Sequence, residues 1–461
     1  MKRRDILKLI LSGAGIGYLF HQFRENPSNF QIESLIASLP YSNKTINTKV
    51  TVNWAKIIAK STPKTFGSND FQIVDIKKAT DTTYRSQISK IGFGLIRIHQ
   101  AEISDKWSNP ARKTWDFNKI KAIYNPYYST KAIIIQNIPG WPKWMATDKQ
   151  GLLQPSEYNN YANFCSQLVD IINNRLRHNV IYWEPLNEQD VRYQNAGKLD
   201  ELWQIYNLAA SAMKAKDPKI KIGGPVLTWD EESRMASFLE KCKSNVDFIS
   251  WHRYASSNTK DSTDSLMSNT PYYGQQVKKF RALAKQYVPN RYIPLFLGEY
   301  NINYSWKSGE KRHQTHIGAV WFASVLKHLA EAGIDMSASW NIKDGVYGLI
   351  DPKNQLRPAA ILFTWAIKYL TGSVAFTTTN NSFVEIMAVK QANGKYSLLL
   401  INKLNRPAQV TVDGMKSIKL PKTASIFYLD ANGVKNTTSS PASLFAKPFR
   451  LAPYSIAILY L

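Results

Sequence analysis

The sequence predicts an α/β protein, a (β/α)₈ barrel followed by a smaller C-terminal β-sandwich. Between about residues 50 and 370, short β-like runs alternate with helix-like runs, the pattern of a parallel sheet wrapped by helices. Eight strand-like runs stand at 65–68, 94–99, 132–137, 180–186, 220–225, 248–251, 295–299 and 337–341, the number a closed barrel needs. Past Gly372 the texture changes to short alternating strands separated by Asn393-Gly394, Asp413-Gly414 and Asn432-Gly433. A doubly wound sheet would use fewer strands and a glycine-rich phosphate loop after the first, which the sequence lacks.

The elements follow in order. The start, Met1-Lys2-Arg3-Arg4-Asp5-Ile6-Leu7-Lys8, is basic, and an apolar run covers 9–20. That is the pattern of an export signal peptide. Arg3-Arg4 before Ile6-Leu7-Lys8 resembles a twin-arginine signal. The expectation is an exported protein: periplasmic, envelope-associated or secreted. N-terminal membrane association is the variant in which the run is kept as an anchor, although 12 residues are short of the roughly 20 that span a bilayer. Residues 1–45 read as signal and linker, 46–371 as the barrel and 372–461 as the sandwich. Residues 45–54 also alternate and are a candidate extra sandwich strand. Helices are expected at 157–174, 200–215, 277–286 and 316–331. The sandwich strands are expected at 382–389, 395–402, 408–412, 424–428 and 455–460.

Composition narrows the function. Of 461 residues, 44% are hydrophobic and 20% charged, which excludes a disordered chain, a collagen and a coiled-coil rod. The 13 Trp, 24 Tyr and 19 Phe suit sugar binding and a large core alike. The net charge of +25 predicts attraction to polyanions, an anionic polysaccharide or an anionic envelope among them. No nucleic-acid module accompanies it, so no nucleic-acid partner is expected. Cys165 and Cys242 have no metal-ligand or C-x-x-C spacing. They read as two separate buried thiols or one disulfide, and no metal or cofactor is expected.

In such a barrel the chemistry sits at the C-terminal ends of the strands. The residues there are Arg97-Ile98-His99, Asn187-Glu188, Trp251-His252-Arg253-Tyr254, Gly298-Glu299-Tyr300-Asn301 and Trp340-Asn341. Two carboxylates among His, Tyr and Trp suit glycosidic-bond cleavage, which needs one group to protonate the leaving oxygen and another to meet the anomeric carbon. Their pKa values must be pushed apart. Glu184 shares a strand face with Glu188 by the two-residue period and reads as a deeper structural carboxylate paired with Arg97. Trp141 and Trp144, after the third strand, are either sugar platforms or loop packing. Trp107, Trp229 and Trp306 follow the second, fifth and seventh strands.

Trp183-Glu184-Pro185-Leu186-Asn187-Glu188-Gln189 resembles the acid-bearing motif of family 39 glycoside hydrolases. Arg97-Ile98-His99, Gly223-Gly224-Pro225, Phe248 to Tyr254, Leu297-Gly298-Glu299-Tyr300-Asn301, Gly345 to Asp351 and Leu451-Ala452-Pro453-Tyr454-Ser455 fit that family's order. The resemblance spans about 60–461. It implies that Glu188 is the acid/base and Glu299 the nucleophile of a retaining mechanism. It also implies that Asn187 binds the sugar 2-hydroxyl, that His252 and Tyr254 line the site, and that His99 and Trp340 wall it, with Arg97 either orienting the site or serving a structural ion pair. Gln189 and Leu186 replace the family's usual Pro and Trp, so a different acid loop is expected. The family contains β-xylosidases, iduronidases and endo-acting exopolysaccharide hydrolases. With export and a basic surface, internal cleavage of an extracellular or envelope polysaccharide is expected. The alternatives are an exo-acting β-xylosidase-like enzyme and a catalytically silent carbohydrate-binding protein.

Overall fold

The computed structural model describes residues 44–71, 80–99, 107–124, 130–306 and 309–461. The signal and most of the linker read at the N-terminus lie outside them. The first strand, β1 (Ile46–Ser61), precedes the barrel. The barrel begins with β2 (Gly67–Asp70) and β3 (Leu95–Ile98). A small hairpin, β4 (Ser108–Asn109) and β5 (Thr114–Trp115), comes next. Then follow β6 (Ile133–Asn137), β7 (Tyr182–Glu184), β8 (Lys221–Leu227), β9 (Phe248–Ser256), β10 (Leu295–Asn303) and β11 (Met336–Ser339). β2, β3 and β6–β11 close in chain order, all parallel. Each of the eight runs read from the sequence overlaps one of them.

Strand alternation gives the barrel a dry floor and a polar mouth. Leu95, Ile135, Phe248, Phe296, Met336 and Ala338 form an apolar plug. Two residues further along the inward rows, Leu95 gives way to Arg97 and Ile135 to Asn137. On β9, Phe248 is followed by Ser250, His252 and Tyr254, all buried. The outward residues Trp251, Leu297 and Tyr300 join the main core beneath the helices. β10 breaks the period: its register against β9 shifts between Leu297 and Glu299. This bulge turns Glu299 inward three residues after Phe296. Gly298 sits at the bulge, where a Cβ would lie 3.1 Å from His252 Nε2, so the strand needs a glycine to approach that ring.

The C-terminal strands are β12 (Gly372–Thr379), β13 (Val384–Lys390), β14 (Tyr396–Asn402), β15 (Ala408–Asp413), β16 (Ala424–Asp430), β17 (Gly433–Ser439), β18 (Phe449–Leu451) and β19 (Ser455–Tyr460). With β1 they form one nine-stranded mixed sheet curled over its own core. Both faces are apolar, and they alternate. Ile386, Leu398, Leu400 and Leu459 face the sheet's own core. Met387, Leu399, Ile401 and Ile458 join the barrel's core, against helices His316–Glu331 and Pro358–Tyr369. Each such side chain taken from water stabilises by about 1.5–3 kcal/mol, so the two lobes share one apolar interface.

One boundary differs from the expected barrel start at residue 46: β1 pairs antiparallel with β12 and parallel with β15. It is a central strand of the accessory sheet, as the alternation at 45–54 suggested. A buried polar knot also ties the lobes together. Glu385 accepts from Lys403 Nζ (2.7 Å) and Ser324 Oγ (2.6 Å), with His328 Nε2 at 2.9 Å, and Lys403 donates to Met267 O. Cys165 and Cys242 are two free, buried thiols.

Candidate active site

Arg97 is the hub of the barrel mouth. It is fully buried and spends its fork on four partners. Nε donates to Glu184 Oε2 (2.6 Å), Nη1 to Asn69 Oδ1 (2.9 Å) and Glu299 Oε1 (3.0 Å), and Nη2 to Asn187 Oδ1 (2.7 Å). A buried guanidinium needs such partners. Glu184 is the deep structural carboxylate. The same cation pairs with Glu184 and hydrogen-bonds Glu299 and Asn187.

Glu299 also accepts from the Tyr254 hydroxyl at 2.8 Å. Glu188 stands opposite, beyond the end of β7, with His252 Nδ1 2.7 Å from its Oε1. His252 Nε2 lies 3.6 Å from Glu299 Oε1, so the imidazole stands between the two carboxylates. Oxygens of Glu188 and Glu299 come within 4.8 Å of each other.

The environments separate the pair. Burial raises the pKa of Glu188 to about 7, with the Asp190 charge adding to this and Arg97 opposing it. Burial and the Glu188 charge raise Glu299, against His252, Arg97 and the Tyr254 hydrogen bond. Two carboxylates this close do not both ionise readily. The charge settles on the one with more donors. Glu299 has Arg97 and Tyr254, whereas Glu188 has one imidazole, so the donors favour the charge on Glu299. Burial, before any charge, lowers His252 to about 4, and the ring is neutral near pH 7. His99 is likewise pushed down by burial and by Arg97. Its Nδ1 is 2.8 Å from Asn137 Oδ1.

An aromatic wall borders the carboxylates. Trp340 meets His99 edge-on at 5.3 Å and Phe71 at 5.0 Å, with Tyr254 and Tyr347 in the same cluster. Trp306 and Tyr304 continue the wall outward and are 52% and 43% exposed. Trp229 packs on Tyr304 at 5.2 Å. Trp141 and Trp144 are partly buried and pack by their edges on the core. Trp144 meets Phe164 at 5.8 Å and Trp141 meets Tyr161 at 5.9 Å, both against the main core. Trp107 is fully buried. Asn69, Phe71 and Tyr347 were not singled out from the sequence. Asn69 directly follows the first strand-like run at 65–68, and Tyr347 lies in the Gly345–Asp351 stretch, which are the signals that mark them. Among the described residues, one group, Glu188, His252 and Glu299, brings three ligand-type atoms together. Arg97 already places a fixed cation on Glu299 there.

A profile of glycosyl hydrolases family 39 matches residues 41–347. The chain belongs to that family. It is 26% identical over 284 residues to a beta-xylosidase of Geobacillus stearothermophilus, covering 55% of each chain. It is 21% identical over 325 residues to a beta-xylosidase of Caldicellulosiruptor saccharolyticus, covering 64% of each. The family 39 chain thus spans between half and two thirds of the length of these curated relatives. A crystal structure of a monomeric beta-xylosidase from Caulobacter crescentus CB15 shares the fold. Its TM-score is 0.65 at 14% identity, over 89% of this chain and 99% of that one.

Proposed function

We propose that this family 39 chain is a retaining glycoside hydrolase in which Glu299 is the nucleophile and Glu188 the acid/base. The observation that carries it is the unequal carboxylate pair within 4.8 Å. Retaining enzymes hold their carboxyls about 5–5.5 Å apart, and inverting ones about 6.5–9.5 Å to admit a water. Glu299, held ionised by Arg97 and Tyr254, attacks the anomeric carbon, while Glu188 protonates the leaving oxygen. Glu188 then takes a proton from the water that hydrolyses the glycosyl-enzyme. Asn187, its carbonyl fixed on Arg97, turns its amide towards the sugar hydroxyl next to the reacting carbon.

The relatives' name supports a β-xyloside as substrate. The exposed Trp306 and Tyr304 beyond the carboxylates support a longer glycan chain lying across the mouth. The basic–apolar N-terminus supports export, and the +25 charge supports an anionic polysaccharide. The test is hydrolysis of aryl glycosides and bacterial exopolysaccharides by wild type, Glu188→Gln and Glu299→Gln, with the product anomer read by NMR. Loss of turnover in both variants and a retained anomer is expected. Variants as active as wild type, or an inverted product, overturn the assignment.

A further inference from the structure

The backbone around Glu188 is held in an unusual conformation. Glu188 has φ +51° and Val226, at the end of β8, has φ +57°. Neither is glycine, and a β-branched residue there is a marked outlier. The two are joined, since Glu188 N–H donates to Val226 O at 3.0 Å. Such strain persists only where the surroundings over-determine it.

Asp190, two residues on and 1% exposed, supplies that determination. Its Oδ1 accepts from Thr228 N–H (2.9 Å) and Thr228 Oγ1 (2.7 Å). Its Oδ2 pairs with Arg234 on helix Glu232–Cys242. Gln189, in place of the family's usual proline, donates from Nε2 to Pro139 O (3.2 Å) and Asn187 O (3.0 Å), tying the loop to its other neighbour. The segment after β7 is thus clamped to the segment after β8.

We propose that Asp190, with Thr228 and Arg234, is the positioning clamp that holds Glu188 in its left-handed conformation and aims its carboxyl at the leaving-group oxygen. The inference rests on Glu188 being the acid. Asp190 is a positioning residue, because it acts through the backbone of Glu188.

The test exploits leaving-group chemistry. A dinitrophenolate departs without protonation, whereas a phenolate needs the acid. kcat/KM is measured on 2,4-dinitrophenyl and phenyl β-D-xylosides for wild type, Glu188→Ala, Asp190→Ala and the near-isosteric Thr228→Val. Asp190→Ala is expected to lose about 10²-fold on the phenyl substrate and little on the dinitrophenyl one. Thr228→Val is expected to show the same bias at several-fold. A misfolding defect would lower both substrates alike, and an equal loss overturns the clamp. A crystal structure of Thr228→Val or Asp190→Ala gives a readout independent of turnover. Glu188 leaving positive φ or its contact with His252 supports the clamp, and an unchanged Glu188 overturns it. If Glu188→Ala shows no leaving-group bias, the acid assignment fails. If no xyloside is cleaved, the substrate reading fails and the crystal structure alone decides the clamp.

Discussion

Two buried clusters in this molecule use the same residue types and come to opposite ends. Between the lobes, Glu385 meets Lys403, His328 and Ser324, and every carboxylate oxygen has a donor within 2.9 Å. Lys403 and the other nearby cations hold its pKa well below the usual carboxylate range, against the effect of burial. At the barrel mouth, three glutamates share one guanidinium, the Tyr254 hydroxyl and one neutral imidazole, and among the described residues His252 Nε2 and Glu184 Oε1 are buried without a hydrogen-bond partner. The carboxylate with the fewest donors, Glu188, is raised towards neutrality. Burial raises Glu188 and Glu299 alike, whereas at Glu385 the surrounding cations outweigh it.

The comparison can be broken in several places. Glu299→Gln should remove more than about 10⁴-fold of activity, beyond the range of a lost general acid, with the fold intact by circular dichroism. Glu385→Ala should do the reverse. It strands Lys403 in the interface and should cost about 3–5 kcal/mol of stability in denaturant titration, leaving kcat per folded molecule unchanged. Tyr254→Phe removes a donor from Glu299 and should cost on the order of 10²-fold in kcat/KM.

The pH signatures should also oppose. Activity on a poor leaving group should fall roughly tenfold per pH unit above about 7, as Glu188 loses its proton. Glu188, raised from 4.5, contributes stability that is full below pH 4.5 and lost as pH rises through about 7. Glu385, depressed from 4.5, contributes stability present above pH 4.5 and lost as pH falls through its lower folded value. Melts of Glu188→Gln and Glu385→Gln across pH would separate the two slopes. Smallest of all, Trp306→Ala should raise KM several-fold, about 0.5–1.5 kcal/mol, on a chain substrate and leave aryl glycosides unaffected.

Much of this was legible in the sequence, for identifiable reasons. The barrel strands are short apolar runs between helices, and Glu188, Glu299, Asn187, His252, Tyr254 and Arg97 sit where those runs end. Other strands were invisible. β17 is exposed along nearly its whole length and has no apolar alternation, and β18 has three residues. The threonine-rich end of β12 carries no apolar alternation. The bulge at Gly298 also hides from a strict two-residue period, which would turn Glu299 outward. Asp190 and Asn69 act through partners dozens of positions away.

The placement of β1 has a consequence for how the chain is made. Its partners begin at Gly372 and Ala408, so the first strand cannot be paired until some three hundred further residues have been synthesised. Until then it presents two bare hydrogen-bonding edges, the condition that invites aggregation. Closing so distant a pairing is slow, because the loop entropy is met before the contact forms. Excising the accessory sheet would leave β1 in that state permanently, so barrel and sheet must be inherited, expressed and engineered as one piece.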